Sequence, residues 1–320
     1  MEHAAIDGER PVDSAVSNRD GVRLGLASYR LGETVGTGGV GVVRRAIDLR
    51  TGERCAIKIA RQAGAEYGDT IAREVSWLKH LEHPGIVRLR DHCVDGPTPW
   101  YAMELLDGAT LREAMEGIWC RIGPAQSELL TRNGHGTHRR IGARFLAEAV
   151  HVVEELCRTL SYLHGRGLVH ADVKPENVFL CNDGRVVLLD FGAAQPNHLP
   201  GLVAQGDWVT FGTWTYMAPE CRSGAPFDHR ADVYAVGCIL HEFAIGRTPL
   251  EYAFRRKRPE ASAAPPMDHV PGALSDLIGR LTAFEARLRP DDLREILPEL
   301  DRVCMDSELL KGATDAVESR

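Results

Sequence analysis

Two short segments of the sequence carry side chains that could handle phosphate and magnesium. Residues 170–177 read HADVKPEN, and residues 190–192 read DFG. The first segment places a carboxylate, an ammonium and an amide at fixed offsets, and the second adds another carboxylate. One carboxylate can orient a hydroxyl, while a second carboxylate and an amide can hold Mg²⁺. The two segments together predict phosphoryl transfer.

A glycine-rich segment near the start of the chain could approach phosphate. Residues 35–43 read VGTGGVGVV, a G-x-G-x-x-G-x-V pattern between two predicted strands. Glycines allow backbone N–H groups to approach phosphate oxygens because no Cβ obstructs them. A plain hairpin turn or a dinucleotide-binding motif fits the same letters. The dinucleotide motif opens a helix, whereas this segment runs on into a β-branched strand, which favours a phosphate-covering hairpin.

A lysine within an apolar strand needs a partner. Lys58 lies in the run CAIKIA at 55–60, where its charge is costly to bury unless it is paired. Glu74 follows on a predicted helix and could supply the opposite charge. Two ordinary surface charges are the alternative interpretation.

Composition sets limits on the class of protein. The chain has 320 residues, of which 44% are hydrophobic and 26% charged, with a net charge of −7. This suits one large domain or two lobes and does not indicate nucleic acid as a partner. No apolar run approaches the roughly 18 residues of a membrane span, and residues 1–20 lack the apolar core of a secretory signal. Eight cysteines without a C-x-x-C pair favour reduced thiols, so we expect a cytoplasmic protein.

Hydrophobic periodicity predicts strands first and helices afterwards. Strands are predicted at 29–32, 40–47, 55–60, 86–92 and 100–105, with one helix at 70–81. Further helices are predicted at 145–164, 230–245, 274–283 and 293–303. This order indicates an α+β protein with two lobes. Residues 1–28 and 304–320 show no periodicity and are interpreted as tails.

The motifs closely resemble those of serine/threonine protein kinases, in the same order and at similar intervals. The resemblance covers residues 29–303 and implies a bilobal kinase fold, with an N-lobe at 29–106 and a C-lobe at 107–303. A lysine two places after Asp172 resembles serine/threonine kinases rather than tyrosine kinases. The chain is similar to the eukaryotic-like kinases found in bacteria.

The resemblance also implies roles for individual residues. Asp172 would orient the substrate hydroxyl, and Lys174 would neutralise charge on the transferring phosphoryl group. Lys58 would contact the ATP phosphates while Glu74 holds it. Asn177 and Asp190 would hold Mg²⁺, with Mn²⁺ as another possible ion. Further nucleotide contacts would come from Val35, Gly36, Thr37, Gly38, Gly39, Val40, Gly41, Val43, Ala56, Met103, Glu104 and Leu106. The partners would be ATP and proteins bearing serine or threonine.

Other family positions are structural in the resemblance. Asp232 matches a helix carboxylate that anchors the catalytic-loop backbone, and Glu220 with Arg289 matches a buried ion pair. Thr213 matches a threonine that links the substrate-binding loop to the catalytic loop.

Three features depart from the family pattern. Ala171 stands where the family usually has an arginine that receives an activation-loop phosphate. Residues 117–144 resemble an insertion, interpreted as a solvated loop, although His135 and His138 leave partner docking or a metal as alternatives. The basic run at 255–258 is interpreted as a solvated helix face, with a dock for acidic protein substrates as the alternative.

Two other functional classes fit parts of the sequence. A pseudokinase would bind nucleotide or partners without chemistry, but Lys58, Asp172 and Asp190 are all present. A small-molecule phosphotransferase of the aminoglycoside or choline type shares an H-x-D-x-x-x-x-N loop. Lys174 and the segment GTWTYMAPE at 212–220 argue against it, because they resemble a polypeptide-binding surface.

The missing arginine generates the first prediction. Thr210 is the obvious phosphorylatable position between 193 and 213. Because Ala171 offers no cation to a phosphate, we expect the Thr210→Ala protein to keep its turnover. Steady-state phosphoryl transfer by this variant and the parent protein would measure it, and a much reduced turnover would contradict the prediction.

Overall fold

The computed structural model describes residues 25–61, 65–121, 143–197, 214–251, 270 and 272–303. These residues form two compact units. The first contains the described residues up to Lys79 together with Arg88–Leu106. The second contains His80–Val87 and the described residues from Asp107 onward. None of the described helices combines the length and apolar character that a membrane crossing requires.

The first unit is built on a five-stranded antiparallel sheet in the order β1-β2-β3-β5-β4. The strands are β1 (Tyr29–Thr37), β2 (Gly41–Asp48), β3 (Arg54–Ala60), β4 (Leu89–Cys93) and β5 (Trp100–Glu104). One face of the sheet carries a buried apolar cluster that includes Tyr29, Ala46, Cys55, Ile57, Trp100 and Ala102. Because side chains alternate along a strand, the residues between these positions lie on the other face.

Among the described residues of the first unit, α1 (Ala65–Leu78) is the one α-helix. Its buried residues Ile71, Val75 and Leu78 recur at the spacing of one helical face. The sequence predicted the helix at 70–81, so the helix begins earlier and ends earlier than predicted. Glu74 lies on the same face and is completely buried.

The chain after α1 contains the clearest difference from the predicted strands. The prediction placed a strand at 86–92, but β4 begins only at Leu89. Ile86 instead forms an isolated parallel bridge with Leu188, and the Leu188 N–H donates to the Gly85 carbonyl at 2.8 Å. These backbone bonds tie His80–Val87 into the second unit, so the apolar run is divided between two structures.

The second unit is mostly helical, as predicted. Its helices are α2 (Leu111–Arg121), α3 (Ala143–His164), α4 (Pro219–Arg222), α5 (Arg230–Ile245) and α6 (Gly272–Leu281). Every residue of α5 from Ala231 to Ala244 is buried, so this helix forms the core of the unit. The predicted helix at 293–303 begins with a 3₁₀ turn, Leu293–Ile296, and continues as helix over 297–303.

Short strands frame the predicted catalytic segments. Strands β6 (Gly108–Thr110), β8 (Val178–Cys181) and β9 (Val186–Leu188) form one antiparallel sheet in the order β6-β8-β9. Strand β7 (Leu168–Val169) pairs with β10 (Gln195–Pro196). The segment 170–177 therefore lies between β7 and β8, and the segment 190–192 lies between β9 and β10.

The packing of α5 against α6 leads to a prediction about two glycines. A Cβ added at Gly237 would lie 2.7 Å from Leu281 Cβ and 2.8 Å from Thr282 Cγ2, whereas a Cβ at Gly279 would meet nothing within 4 Å. We expect Gly237→Ala to lower the free energy of unfolding by about 1–3 kcal/mol through overpacking. Gly279→Ala, the matched control, should raise it by up to about 1 kcal/mol through helix propensity.

Urea unfolding followed by circular dichroism would measure both free energies. Equal effects of the two substitutions would show that α5 and α6 do not pack as closely as the structure indicates.

Candidate active site

The first predicted catalytic segment folds into a tight hydrogen-bonded loop around Asp172. The Lys174 ammonium donates to Asp172 Oδ2 at 2.7 Å. The Asn177 amide donates to the same oxygen at 2.9 Å and to the Asp172 carbonyl at 2.8 Å. The spacing Asp-x-Lys-x-x-Asn thus brings three predicted site residues together, because the 3₁₀ turn Pro175–Asn177 folds the chain back on itself.

Burial and charge act in opposite directions on the Asp172 carboxyl. Burial is the larger effect and raises its pKa above the ordinary value of 3.8. The charge of Asp190 adds to this rise, whereas the Lys174 ammonium opposes it. Asp190 and Asp172 therefore influence each other electrostatically, as expected of two carboxylates in one site.

His170 links the two predicted segments. Its Nδ1 accepts from the Asp172 N–H at 3.3 Å, and its Nε2 lies 3.1 Å from the Leu189 carbonyl oxygen. A tautomer with the proton on Nε2 satisfies both contacts. The ring of Phe191 meets the His170 ring edge-on, with the ring centroids 5.0 Å apart. Leu189 and Phe191, the two neighbours of Asp190 in the chain, therefore both contact His170 in the first segment.

Asp232 on α5 fixes the backbone just before Asp172. Its Oδ1 accepts from the Ala171 N–H and its Oδ2 from the His170 N–H, both at 2.9 Å, and His164 Nε2 lies 2.8 Å from Oδ2. Burial acts to raise the pKa of this carboxyl, but the His164 hydrogen bond and the other donors outweigh it and hold the pKa below 3.8.

Two residues of the site adopt a backbone conformation that non-glycine residues rarely use. Ala171 has φ = 63° and Asp190 has φ = 59°, and they are the only non-glycine residues with positive φ in the described ranges. Such conformations cost about 1–3 kcal/mol each and persist where the surroundings enforce them. At Ala171 the enforcing contact is the hydrogen bond to Asp232.

Asn177 and Asp190 have the chemistry of magnesium ligands. Both amide hydrogen bonds of Asn177 use its nitrogen, so its side-chain oxygen accepts no hydrogen bond from the described residues. No group of three or more His, Cys, Asp or Glu residues among those described could form a metal cage. A site of one carboxylate and one amide oxygen suits Mg²⁺ that shares its remaining ligands with phosphates and water.

Four of the predicted nucleotide-binding residues in the first unit, Val43, Ala56, Lys58 and Met103, share one face of the sheet. Strand pairing places Val43 opposite Lys58 and Ala56 opposite Met103. Paired residues lie on the same side of a sheet, and so do residues two apart on one strand. These four side chains therefore lie on the face opposite the buried cluster. This shared face could not be read from the sequence intervals alone.

The glycine-rich segment forms the hairpin that the sequence predicted. Strands β1 and β2 pair through Thr37 and Val42, and the Gly38 N–H donates to the Gly41 carbonyl at 2.9 Å. The turn between them contains Gly39 and Val40. A Cβ on Gly41 would lie 2.6 Å from the Ile59 carbonyl oxygen, so the β2–β3 pairing requires glycine there.

Lys58 and Glu74 form a buried ion pair. The Lys58 ammonium lies 2.7 Å from Glu74 Oε2, and the two side chains are 8% and 0% exposed. The predicted contact is therefore present, and the alternative of two surface charges is wrong. The pair joins α1 to the sheet face that carries Val43, Ala56 and Met103.

The predicted hinge continues from β5. The Glu104 N–H donates to the Arg88 carbonyl at 2.9 Å, and Glu104 Oε1 accepts from the Arg88 N–H at 3.0 Å. Leu106 is half-buried, and its backbone N–H donates to no other group in the part of the chain that the structure describes. Val35 and Gly36 lie within β1, with Val35 exposed.

A cluster of side chains around Arg112 on α2 was not predicted from the sequence. The Arg112 guanidinium donates to Glu176 at 2.8 Å, to Glu242 at 2.7 Å and to the Tyr216 hydroxyl at 2.5 Å. Tyr216 also donates to Glu242, and burial followed by the Glu242 charge raises the pKa of this phenol. Nothing in the local sequence around Arg112 indicates these partners, because they lie 64 to 130 residues away.

Of the remaining predicted positions, some belong to the described residues and others do not. Arg289 forms a bidentate ion pair with Glu220 at 2.6 and 2.8 Å, and its side chain is fully buried. Other predicted positions lie outside the described residues, namely His135, His138, Thr210, Thr213 and the basic run 255–258. Of the predicted insertion at 117–144, the first residues belong to α2 and the last two to α3.

The similarity to known proteins covers the part of the chain that carries these motifs. Residues 29–297 match the protein kinase domain family. A probable serine/threonine-protein kinase of Streptomyces coelicolor is 28% identical over 309 residues, which cover 92% of this chain and 42% of the relative. Serine/threonine-protein kinase PknB of Mycolicibacterium smegmatis is 31% identical over 228 residues, which cover 69% of this chain and 33% of PknB.

A third relative matches at a similar level of identity. Serine/threonine-protein kinase PknD of Chlamydia muridarum is 28% identical over 300 residues, covering 85% of this chain and 31% of PknD. The chain thus spans less than half the length of each of these three relatives. The family match covers most of the chain and includes every motif described above. The chain therefore belongs to the protein kinase family and has its two-lobed α+β fold.

Proposed function

We propose that this protein is a serine/threonine protein kinase, which transfers the γ-phosphoryl group of ATP to a protein hydroxyl. The observation that carries the proposal is the convergence of Lys174 and Asn177 on Asp172, in one loop that His170 connects to the segment containing Asp190. The names of the bacterial relatives support a protein kinase over a small-molecule phosphotransferase. The cytoplasmic location stays a prediction.

In the proposed reaction Asp172 accepts a hydrogen bond from the substrate hydroxyl and orients it toward the phosphoryl group. Lys174, already beside this carboxylate, contributes positive charge near the transferring group. Asn177 and Asp190 would hold Mg²⁺, which would neutralise charge on the phosphates. Asn177 has a second task, since its amide nitrogen fixes the orientation of the Asp172 carboxylate.

The first unit would bind the nucleotide. Lys58 would contact the α- and β-phosphates, and Glu74 keeps its ammonium oriented through the 2.7 Å ion pair. The hairpin between β1 and β2 would cover the phosphates with backbone N–H groups. The Leu106 N–H, which donates to no other described group, would donate to the adenine ring.

The proposed chemistry predicts that Asp172→Asn lowers kcat by about 10²- to 10⁴-fold, the usual contribution of a positioned proton acceptor. The 320-residue protein would be incubated with radiolabelled ATP, Mg²⁺ and a generic protein substrate, and label on serine and threonine would be counted. Asp183→Asn is the matched control, because this aspartate is exposed on the turn between β8 and β9. It should transfer phosphate at the parental rate.

The outcomes of this assay distinguish the functional classes. Nucleotide binding without transfer would contradict the proposal and favour a pseudokinase. Transfer to a small hydroxyl compound but not to protein would favour a small-molecule phosphotransferase. Label that persists in Asp172→Asn would remove Asp172 from its proposed role.

The Lys58–Glu74 pair allows stability and catalysis to be separated. Lys58→Met should abolish detectable transfer and also destabilise the protein by about 3–5 kcal/mol, because Glu74 loses its cationic partner inside the protein. The double variant Lys58→Met/Glu74→Met should recover most of that stability, since an apolar pair of similar volume replaces the ions. It should remain inactive.

Urea unfolding and the transfer assay would measure the two properties side by side. Lys79→Met removes an exposed lysine and serves as the control, with little change in either property expected. A double variant that regains activity would contradict the proposed contact between Lys58 and phosphate.

A further inference from the structure

The chain after the DFG segment is attached to the rest of the second unit at Asn197. Strand β10 pairs with β7, so Gln195 faces Val169 and Pro196 faces Leu168. The Asn197 N–H then donates to the Gly167 carbonyl at 2.7 Å. The strand pairing alone spans only two residues on each side, and a ladder this short provides little stability of its own.

The side chain of Asn197 adds a second, bidentate attachment. Its Oδ1 accepts from the His229 N–H at 2.9 Å, and its Nδ2 lies 3.2 Å from His229 Nδ1. The Nε2 atom of His229 lies 2.8 Å from the Asp291 carbonyl oxygen, so Nε2 carries the proton and Nδ1 accepts from the amide. Each polar atom of the pair meets a partner of the opposite kind. His229 directly precedes α5 and is mostly buried, with its side chain 15% exposed.

His229 also contacts a residue that supports the predicted catalytic loop. Its ring packs against the ring of His164, with the centroids 5.2 Å apart. His164 Nε2 lies 2.8 Å from Asp232 Oδ2, and Asp232 holds the N–H groups of His170 and Ala171. A continuous series of contacts therefore joins Asn197 to the residue before Asp172.

We propose that Asn197 and His229 act together as positioning residues, which fasten the chain after the DFG segment and keep His164 oriented toward Asp232. The proposal rests on the proposed kinase function. Ala171 has only a methyl group and cannot fasten the loop by charge, so its strained backbone depends on Asp232 and on whatever holds Asp232 in place. The contacts of Asn197 and His229 provide that support without a phosphate group.

The test compares Asn197→Ala, His229→Ala and the double variant with the parental protein. Each single substitution should lower kcat by about tenfold to a hundredfold, because small misplacements of catalytic groups have effects of this size. The KM for ATP should change less than twofold, since neither residue belongs to the nucleotide-binding set. The double variant should lose no more activity than the stronger single variant, as expected of two residues that work as a unit.

A second readout does not depend on activity. Amide hydrogen exchange at His170 and Ala171 should be faster in both single variants, because these two N–H groups donate to Asp232. Asn182→Ala and His151→Ala remove exposed side chains of the same types and should change neither kcat nor exchange. Circular dichroism would confirm that each variant is folded.

The possible outcomes are distinct. Folded variants with parental kcat and parental exchange at both amides would overturn the inference. A parental protein that transfers no phosphate would end the proposed function, while the exchange data would still decide whether Asn197 and His229 hold the loop. Should the alanine variants fail to fold, Asn197→Leu would replace Asn197→Ala. Leucine has a similar volume but makes neither hydrogen bond to His229, so it should still raise the exchange rates, and unchanged rates would overturn the inference.

Discussion

The buried carboxylate of Asp232 is the constraint on which the predicted catalytic loop depends. A charge that is 1% exposed is tolerated only when donors surround it, and here His164 and the N–H groups of His170 and Ala171 do so. To present those two N–H groups to one carboxylate, the backbone at Ala171 adopts a positive φ. The orientation of Asp172 follows from that conformation, because it is the next residue.

The first unit also contains a buried carboxylate, and there an ion pair stabilises it. Glu74 has no exposed surface, and the Lys58 ammonium 2.7 Å away offsets the cost of burying its charge. Removing one member would leave the other buried, so the pair fixes the position of α1 on the sheet. Three of the residues proposed to bind nucleotide, Val43, Ala56 and Met103, lie on that same sheet face. The same contact is therefore expected to matter both for the stability of this unit and for its proposed nucleotide binding.

Periodicity and motif chemistry predicted most of the elements, and the errors have local causes. The glycine hairpin, the buried helix α5 and the long helix α3 follow from β-branched runs and apolar spacing. The strand predicted at 86–92 began too early because Ile86 is apolar. In the structure Ile86 pairs instead with Leu188, which lies 102 residues further along the chain. Helix α1 was predicted with shifted ends, because apolar spacing shows which residues face the core but does not mark where a helix begins and ends.

The sequence by itself determined the family, the α+β class and the positions of the motif residues, and it predicted the pairing of Lys58 with Glu74 that the structure then showed. These features rest on short intervals and on side-chain chemistry that a linear pattern records. Only the tertiary structure decided that Arg112 joins Glu176, Tyr216 and Glu242, and that Asn197 binds His229. Such contacts unite residues 26 to 130 positions apart, and they depend on how helices and loops pack rather than on any local period.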